Sequence, residues 1–332
     1  MTILVTGGAG YIGSHMVHEL VDAGEKVVVL DNLSTGFRFL LPTNVPFVAG
    51  STGDRDLVAK TIRQHQVDAI IHFAASIVVP DSVRDPLGYY RNNTMNTCSL
   101  LQTAVENGVG KFIFSSTAAV YGNASDEPVR EDSPTVPISP YGTSKLMSEI
   151  MLHDTGKAHD LRFVVLRYFN VAGADPKGRT GQSTPAATHL IKVACETALG
   201  KRAKMNVFGT DYPTPDGTCI RDYIHVSDLA KAHSAALAYL RRGGISATFN
   251  CGYGRGASVL EVIDAVRRAC RHDFPVEISD RRPGDPASLV ANVERIRKTL
   301  DWHPQFQDLD TIVSHALAWE KRLPGKRESA VG

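Results

Sequence analysis

The chain has almost no net charge. Its 36 lysines and arginines face 35 aspartates and glutamates across 332 residues, a formal balance of +1. No field is left to draw in nucleic acid or an anionic membrane, so an anionic ligand would depend on local arginines. Cysteine is scarce too. Cys98, Cys195, Cys219, Cys251 and Cys270 are scattered, odd in number and without a CxxC pair or metal-ligand spacing. That argues against a disulfide framework or a cysteine metal site and fits small buried hydrophobes in a reducing compartment. No run is long and apolar enough to span a bilayer. The opening MTILVTGG lacks a basic segment and passes directly into a strand and a glycine loop. Internal repeats and low-complexity tracts are missing as well. The expectations are a cytoplasmic location, no metal, no nucleic-acid partner and no membrane.

What is present is ordinary globular composition, 43% hydrophobic and 21% charged, in a chain long for one core. One large domain and a smaller one are expected. Short β-branched runs at 3–6, 26–30, 68–73, 111–115 and 162–167 alternate with amphipathic stretches at 11–23, 55–65, 87–107 and 141–157. This alternation predicts an α/β fold, a Rossmann-type doubly wound parallel sheet with helices on both faces. Ligand-binding loops would then lie at the carboxyl ends of the strands. Beyond 174 the pattern loosens, with helices expected at 188–199, 226–239, 258–270 and 309–321 and a frayed tail at 324–332. The first domain is placed at 1–174. A smaller C-terminal substrate domain is placed at 175–332, with the chain near 220–255 returning to the first domain through a strand at 247–250.

Gly7-Gly8-Ala9-Gly10-Tyr11-Ile12-Gly13 follows the first expected strand and opens a helix. Glycines let the backbone turn tightly and approach a pyrophosphate, and the helix N-terminus offers its unpaired N–H groups. Asp31 ends the second strand, at about the spacing from the loop at which an acid grips the adenosine ribose. Its charge would repel a 2′-phosphate, so NAD is expected over NADP. Phe73, Ala74 and Ala75 end the next parallel strand with small residues where a dinucleotide must pass, and Asn92 on the following helix could bond it.

Among ten tyrosines only Tyr141 has a lysine, Lys145, four residues on. On a helix the two share a face, one turn apart. An ammonium beside a phenol favours the phenolate, and a phenolate can take a proton. Ser115-Ser116-Thr117 closes the preceding strand with hydroxyls able to polarise a reacting oxygen.

With these residues in hand, the chain resembles the extended short-chain dehydrogenase/reductase family and, within it, the nucleotide-sugar 4-epimerases. The stretches that carry the likeness are the glycine loop with Ser14-His15, Leu30-Asp31-Asn32-Leu33, Ile71-His72-Phe73-Ala74, 114–122, 139–145, 166–170, 208–229 and 281–285. The resemblance implies a homodimer formed through the two long helices at 87–107 and 141–157. It also implies a C4 inversion of a UDP-sugar, glucose to galactose first, through a transient 4-keto sugar with NAD bound throughout. In that scheme Tyr141 is the base, Lys145 its electrostatic partner and Thr117 the hydroxyl near the 4-OH. Gly7, Gly10, Tyr11, Ile12, Gly13, Asp31, Asn32, Phe73, Ala74, Ala75, Asn92, Ser115 and Phe169 would join Tyr141 and Lys145 around NAD. Asn170, His189, Phe208, Arg221, Tyr223, Arg282 and Asp285 would hold the nucleotide sugar, the two arginines taking its diphosphate.

Several positions depart from the family pattern. Ser51 stands where an aspartate usually meets adenine, with Asp54 nearby but out of register. Ile77 replaces a lysine, Thr117 is often serine, and His189 takes the place of an asparagine. Leu289 matches the position that gates the space beside the sugar's 2-substituent, which leaves N-acetylated substrates open; pentose and uronate substrates are further alternatives, though no basic residue marks a carboxylate pocket. Ala118-Ala119 after Thr117 lacks the acid/base pair a 4,6-dehydratase needs. A protein that senses NAD without catalysis is the non-enzymatic alternative, against which intact Tyr141 and Lys145 speak.

Overall fold

Strands form where short aliphatic runs can be buried on both sides. In the computed structural model, which describes residues 1–323 apart from 125–127, 186 and 283, six such runs and a short, partly exposed edge strand build one parallel sheet. Its spatial order is Ala247–Cys251, Arg162–Tyr168, Lys111–Thr117, Val67–His72, Thr2–Thr6, Lys26–Asp31 and Phe47–Ala49. Successive side chains leave opposite faces, so Ile3, Val5 and Val29 enter one core while Leu4, Val28 and Leu30 enter the other. Each fully buried aliphatic side chain contributes about 1.5–3 kcal/mol through lost apolar exposure. The helices Tyr11–Asp22 and Val226–Arg241 pack together, both contributing to the first core. Pro140–Ala158 and Asn96–Glu106 supply Leu152, Leu100 and Leu101 to the second. The architecture is the doubly wound, Rossmann-type α/β fold.

The register aligns the carboxyl ends. Thr6 pairs with both Leu30 and His72, and Thr117 pairs with Tyr168. The loops after these strands therefore open on one edge. Residues beyond 174 contribute the strand Ala247–Cys251, paired with Arg162–Tyr168, as well as the covering helix Val226–Arg241. The rest of that half makes small sheets. Asn170–Ala172 pairs with Tyr223–His225, Met205–Phe208 with Val276–Ser279, and Ile220–Arg221 lies between Ala257–Ser258 and Ser288–Leu289. The tail at 324–332 lies outside the described residues. Among the described residues no helix is long and apolar enough to cross a membrane.

One expected helix differs in form. The stretch 87–107 runs as Pro86–Tyr89, a π turn at Tyr90–Met95, and Asn96–Glu106. The wide turn exposes the Asn93 carbonyl to the hydroxyls of Thr97 and Ser148, while the Asn93 side chain ties Ser76 to Ser144. The strand Phe47–Ala49 escapes a periodicity reading because three residues cannot show alternation. The helix Val79–Arg84 escapes it because Pro80 and two exposed valines blur the pattern.

Candidate active site

The glycine loop is closed on itself. Gly7 has φ +69°, and a Cβ there would lie 2.5 Å from the Ala74 nitrogen. A Cβ on Gly13 would lie 2.1 Å from the Gly7 carbonyl oxygen. No side chain can stand at either place, so only glycine lets the loop and the start of the helix pack this closely. Gly10 is the N-cap of Tyr11–Asp22 without a side-chain cap, so the first N–H groups of that helix face the same edge. The Tyr11 hydroxyl donates to the Gly173 carbonyl at 2.7 Å, and Ile12 packs on the core. Asp31 is buried. Its two carboxylate oxygens accept from Ala9 N at 2.9 Å and Leu33 N at 2.8 Å, and burial raises its pKa against those bonds. Asn32 next to it accepts from Ser34 N at 3.0 Å. A donor-lined glycine cradle ending in a buried carboxylate fits a dinucleotide.

The neighbouring loop carries Phe73, Ala74 and Ala75. Phe73 rests on His233 with ring centroids 4.8 Å apart, and Asn92 donates to the Ser76 hydroxyl at 2.9 Å. Below them His72 is bonded to the Thr6 hydroxyl at 2.6 Å and the Thr97 hydroxyl at 2.9 Å. It thereby ties the strands Thr2–Thr6 and Val67–His72 to the helix Asn96–Glu106. Asp54, next to the departure at Ser51, caps the helix Arg55–His65 by accepting from Leu57 N at 3.0 Å. Ser51 Oγ accepts from Gly53 N at 3.1 Å.

The helix Pro140–Ala158 starts sharply. Ser139 caps it by accepting from Gly142 N, and Pro140 occupies its first turn. Tyr141 and Lys145 are both buried on the face turned to the strand Lys111–Thr117. The Lys145 ammonium donates to the Ser115 carbonyl at 2.9 Å and lies 4.9 Å from the Phe114 ring centroid. The Ser115 hydroxyl is bonded to that of Tyr168, and Thr117 Oγ1 accepts from Ala119 N at 3.1 Å. Burial pushes the Tyr141 phenol up to about 12, with the Thr117 hydroxyl pulling the other way. Burial also drives Lys145 down to about 7, opposed by the charge of Glu149. Burial, the Thr117 hydroxyl and, more weakly, Tyr89 thus act on Tyr141, while the lysine is engaged by the strand-end carbonyl.

Across the cleft, Asn170 opens the strand Asn170–Ala172 in register with Tyr223, and Phe169 before it is buried. Asn170, Tyr223 and His189 line one cavity together with Gln182 and Lys192. Burial raises the pKa of Tyr223 and lowers that of His189, whose Nδ1 accepts from the Gln182 amide at 2.8 Å. Arg221 approaches Asp285 at 3.8 Å and not its neighbour Asp222. The Asp222 carboxylate instead accepts from Tyr253 N and Gly254 N, both at 2.9 Å. The Arg282 guanidinium sits 3.7 Å from the centroid of Phe208. Reading the sequence named Ser116 only as a strand-end hydroxyl and missed the buried set it joins behind Thr117, namely Glu149, Arg167, Tyr121 and Asn250. The signal was Glu149, four residues past Lys145 on the same helical stripe.

Such a cradle beside a buried tyrosine–lysine pair and a strand-end hydroxyl defines the nicotinamide-dependent enzymes of the short-chain dehydrogenase type. Residues 3–252 match the NAD dependent epimerase/dehydratase family. The chain belongs to that family, and NAD is its cofactor. It is 59% identical over 330 residues to a UDP-glucose 4-epimerase of Azospirillum brasilense, covering 99% of this chain and 94% of the relative. A crystal structure of a UDP-glucose 4-epimerase superposes with TM-score 0.95 at 46% identity, covering 98% of both chains. The Brucella ovis UDP-glucose 4-epimerase in complex with NAD gives TM-score 0.93 at 44% identity, over 96% of this chain and 97% of that one.

Proposed function

We propose that the chain interconverts UDP-glucose and UDP-galactose, inverting C4 through a transient 4-keto sugar. The observation that carries this reading is the meeting of Tyr141, Lys145 and Thr117 at the end of one strand; the pairs Arg221–Asp285 and Arg282–Phe208 support it. Gly7, Gly10, Tyr11, Ile12 and Gly13 would hold the NAD pyrophosphate, and Asp31 and Asn32 the adenosine ribose. Phe73, Ala74, Ala75, Asn92, Ser115 and Phe169 would line the way to the nicotinamide. Bound there, NAD supplies a reversible hydride acceptor for C4 and a positive charge.

Tyr141 takes the 4-hydroxyl proton and returns it, Thr117 holds the 4-oxygen, and Lys145 keeps positive charge at the strand end. Arg221 and Arg282 clamp the diphosphate, aided by Asn170 and His189. Phe208 and Tyr223 enclose the uracil, and Asp285 bonds the ribose. A firm nucleotide grip with few charges near the hexose lets the flat keto sugar turn over in place. In this reading residues 1–174 form the NAD-binding domain and 175–332 the substrate domain. The returning helix and strand within 220–255 belong structurally with the first.

The test is incubation of the purified protein with UDP-galactose, without added NAD, following UDP-glucose. Conversion abolished by Tyr141→Phe is the expected result. No conversion with or without added NAD would sink this substrate and turn attention to N-acetylated, pentose and uronate analogues. A Campylobacter jejuni relative with 48% identity is a UDP-Glc/GlcNAc 4-epimerase.

We also propose that the protein pairs with a second copy. Val83, Leu87 and Met95 are 63%, 72% and 62% exposed beside Met147 and Ile150 at 41% and 52%. They form an apolar row across packed helices that water disfavours.

A further inference from the structure

The helix with Tyr141 and Lys145 carries a third buried residue on the same stripe, Glu149, one turn further on. It faces Arg167, which forks onto it through Nε at 3.1 Å to both carboxylate oxygens and Nη2 at 2.6 Å to one. Both side chains are nearly inaccessible, at 3% and 8%. Ser116 donates its hydroxyl to the same carboxylate, and Ser116 and Arg167 are direct cross-strand partners.

The pair does not end there. Arg167 Nη1 donates to the Tyr121 hydroxyl at 3.0 Å, and that hydroxyl donates to Asn250 Oδ1 at 2.6 Å. Asn250 in turn donates to the Val129 carbonyl at 2.8 Å, and Val129 N to the Val290 carbonyl at 2.8 Å. Val290 follows Leu289, the strand partner of Arg221. A continuous set of bonds thus runs from the helix bearing Tyr141 to the segment bearing the proposed diphosphate clamp.

We infer that the Glu149–Arg167 pair is a positioning element of the reaction, fixing the strand end that presents Thr117 and the carbonyl that holds Lys145. Ser116 sits between those two positions. Adjacent strand residues point to opposite faces, so anchoring its hydroxyl on one face sets the direction of Thr117 on the other. A buried ion pair is weak as a source of stability, because desolvation offsets much of the attraction. Its worth here lies in rigid geometry, since a misplacement of about 1 Å at a reacting group can cost about a hundredfold in rate. Glu149 is also the one charge that holds Lys145 up against the effect of burial.

This inference rests on the epimerase reading, and its test separates the two. Ser116→Ala and Tyr121→Phe each remove a single hydroxyl from the network and leave the ion pair in place. Glu149→Gln removes the charge. Turnover of UDP-galactose, KM, bound NAD per chain, UDP affinity by calorimetry and Tm are measured for each. The expected result for Ser116→Ala is a fall in kcat of about tenfold to a hundredfold, with KM, UDP affinity, NAD content and Tm near those of the parent protein. Glu149→Gln should show a larger fall in kcat per folded, NAD-loaded chain. Wild-type kcat in both Ser116→Ala and Tyr121→Phe overturns the inference. So does a loss that merely tracks NAD content or Tm. A parent protein that epimerises no UDP-sugar would instead remove the underlying reading.

Discussion

Lys145 spends a hydrogen bond on the backbone of the residue two before Thr117, its ammonium 2.9 Å from the Ser115 carbonyl. A charged group is thus buried at the strand end with one carbonyl and the Phe114 ring as neighbours. Burial drives it to about 7, well below the usual lysine range. Its folded pKa is depressed, so the folded state binds fewer protons than the unfolded one between about pH 7 and 10.5, and stability rises with pH across that window. Replacing Lys145 with methionine removes a desolvated ammonium. Lys145→Met should raise Tm at neutral pH while lowering kcat by about two to four orders of magnitude. A Tm that falls would show that the Ser115 bond outweighs the cost of burial.

Tyr141→Phe keeps the ring and deletes the proton acceptor. Its kcat should fall by about 10²–10⁴-fold, with NAD content and UDP affinity unchanged. A variant retaining more than a tenth of the parent rate would exclude Tyr141 as the base. Steady-state kinetics beside UDP calorimetry decides this.

Buried histidines make the fold sensitive to acid. Burial lowers His15 and His233 to about 4, and His72 and His225 to about 3. Each is neutral in the fold, while the unfolded chain takes up a proton below about 6.5. Stability contributed by these groups is therefore complete above that pH and is lost as pH falls toward 4 and 3. The loss is about 3–5 kcal/mol per group. Asp222 works in the opposite sense, because burial raises it to about 6 and it binds a proton sooner in the fold. Asp31 and Glu19 are raised by burial in the same sense as Asp222, but less far, and the four deeply shifted histidines set the direction. Tm should drop steeply between pH 6.5 and 4, and His72→Gln should flatten that slope. A pH-independent Tm would contradict neutral burial.

Most of the sheet was legible because each long strand is a run of aliphatic residues closed by a turn or loop, as Val27–Leu30 before Asp31 shows. The glycine loop, Asp31 and Tyr141 with Lys145 were legible because their spacing is local. Contacts set by long-range pairing were not. Nothing near Arg167 in sequence points to Glu149, and nothing near Asn93 says that its carbonyl will receive two hydroxyls in a π turn. Asp222 is adjacent to Arg221 in sequence but is not its partner. In the fold the chain at 253–254 claims its carboxylate.

The apolar row at Val83, Leu87, Met95, Met147 and Ile150 should be covered in solution. Light scattering should give twice the chain mass at micromolar concentration. Leu87→Glu with Ile150→Lys should give the single-chain mass with the fold intact by circular dichroism. Both residues are more than half exposed in the single chain, so the substitutions cost its core nothing. A monomeric parent protein would remove the proposed pairing.

Ser51 follows the strand Phe47–Ala49 at the edge where Asp31 lies, since Gly50 N bonds the Asp31 carbonyl at 3.1 Å. A serine hydroxyl there can offer adenine one neutral hydrogen bond, and it already accepts from Gly53 N. An aspartate could keep that backbone bond with one oxygen and present the other, charged, to the exocyclic amine. Charge-assisted bonds are about twice as strong as neutral ones. Ser51→Asp should therefore retain about tenfold more NAD at equilibrium, read as bound NAD per chain after gel filtration and dilution. Asp54 offers no substitute, because its carboxylate is held by Leu57 N as a helix cap. Asp54→Ala should accordingly lower Tm by loss of the cap, worth about 1 kcal/mol, and leave NAD content unchanged. NAD lost in Asp54→Ala, with no gain in Ser51→Asp, would transfer the adenine contact from position 51 to position 54.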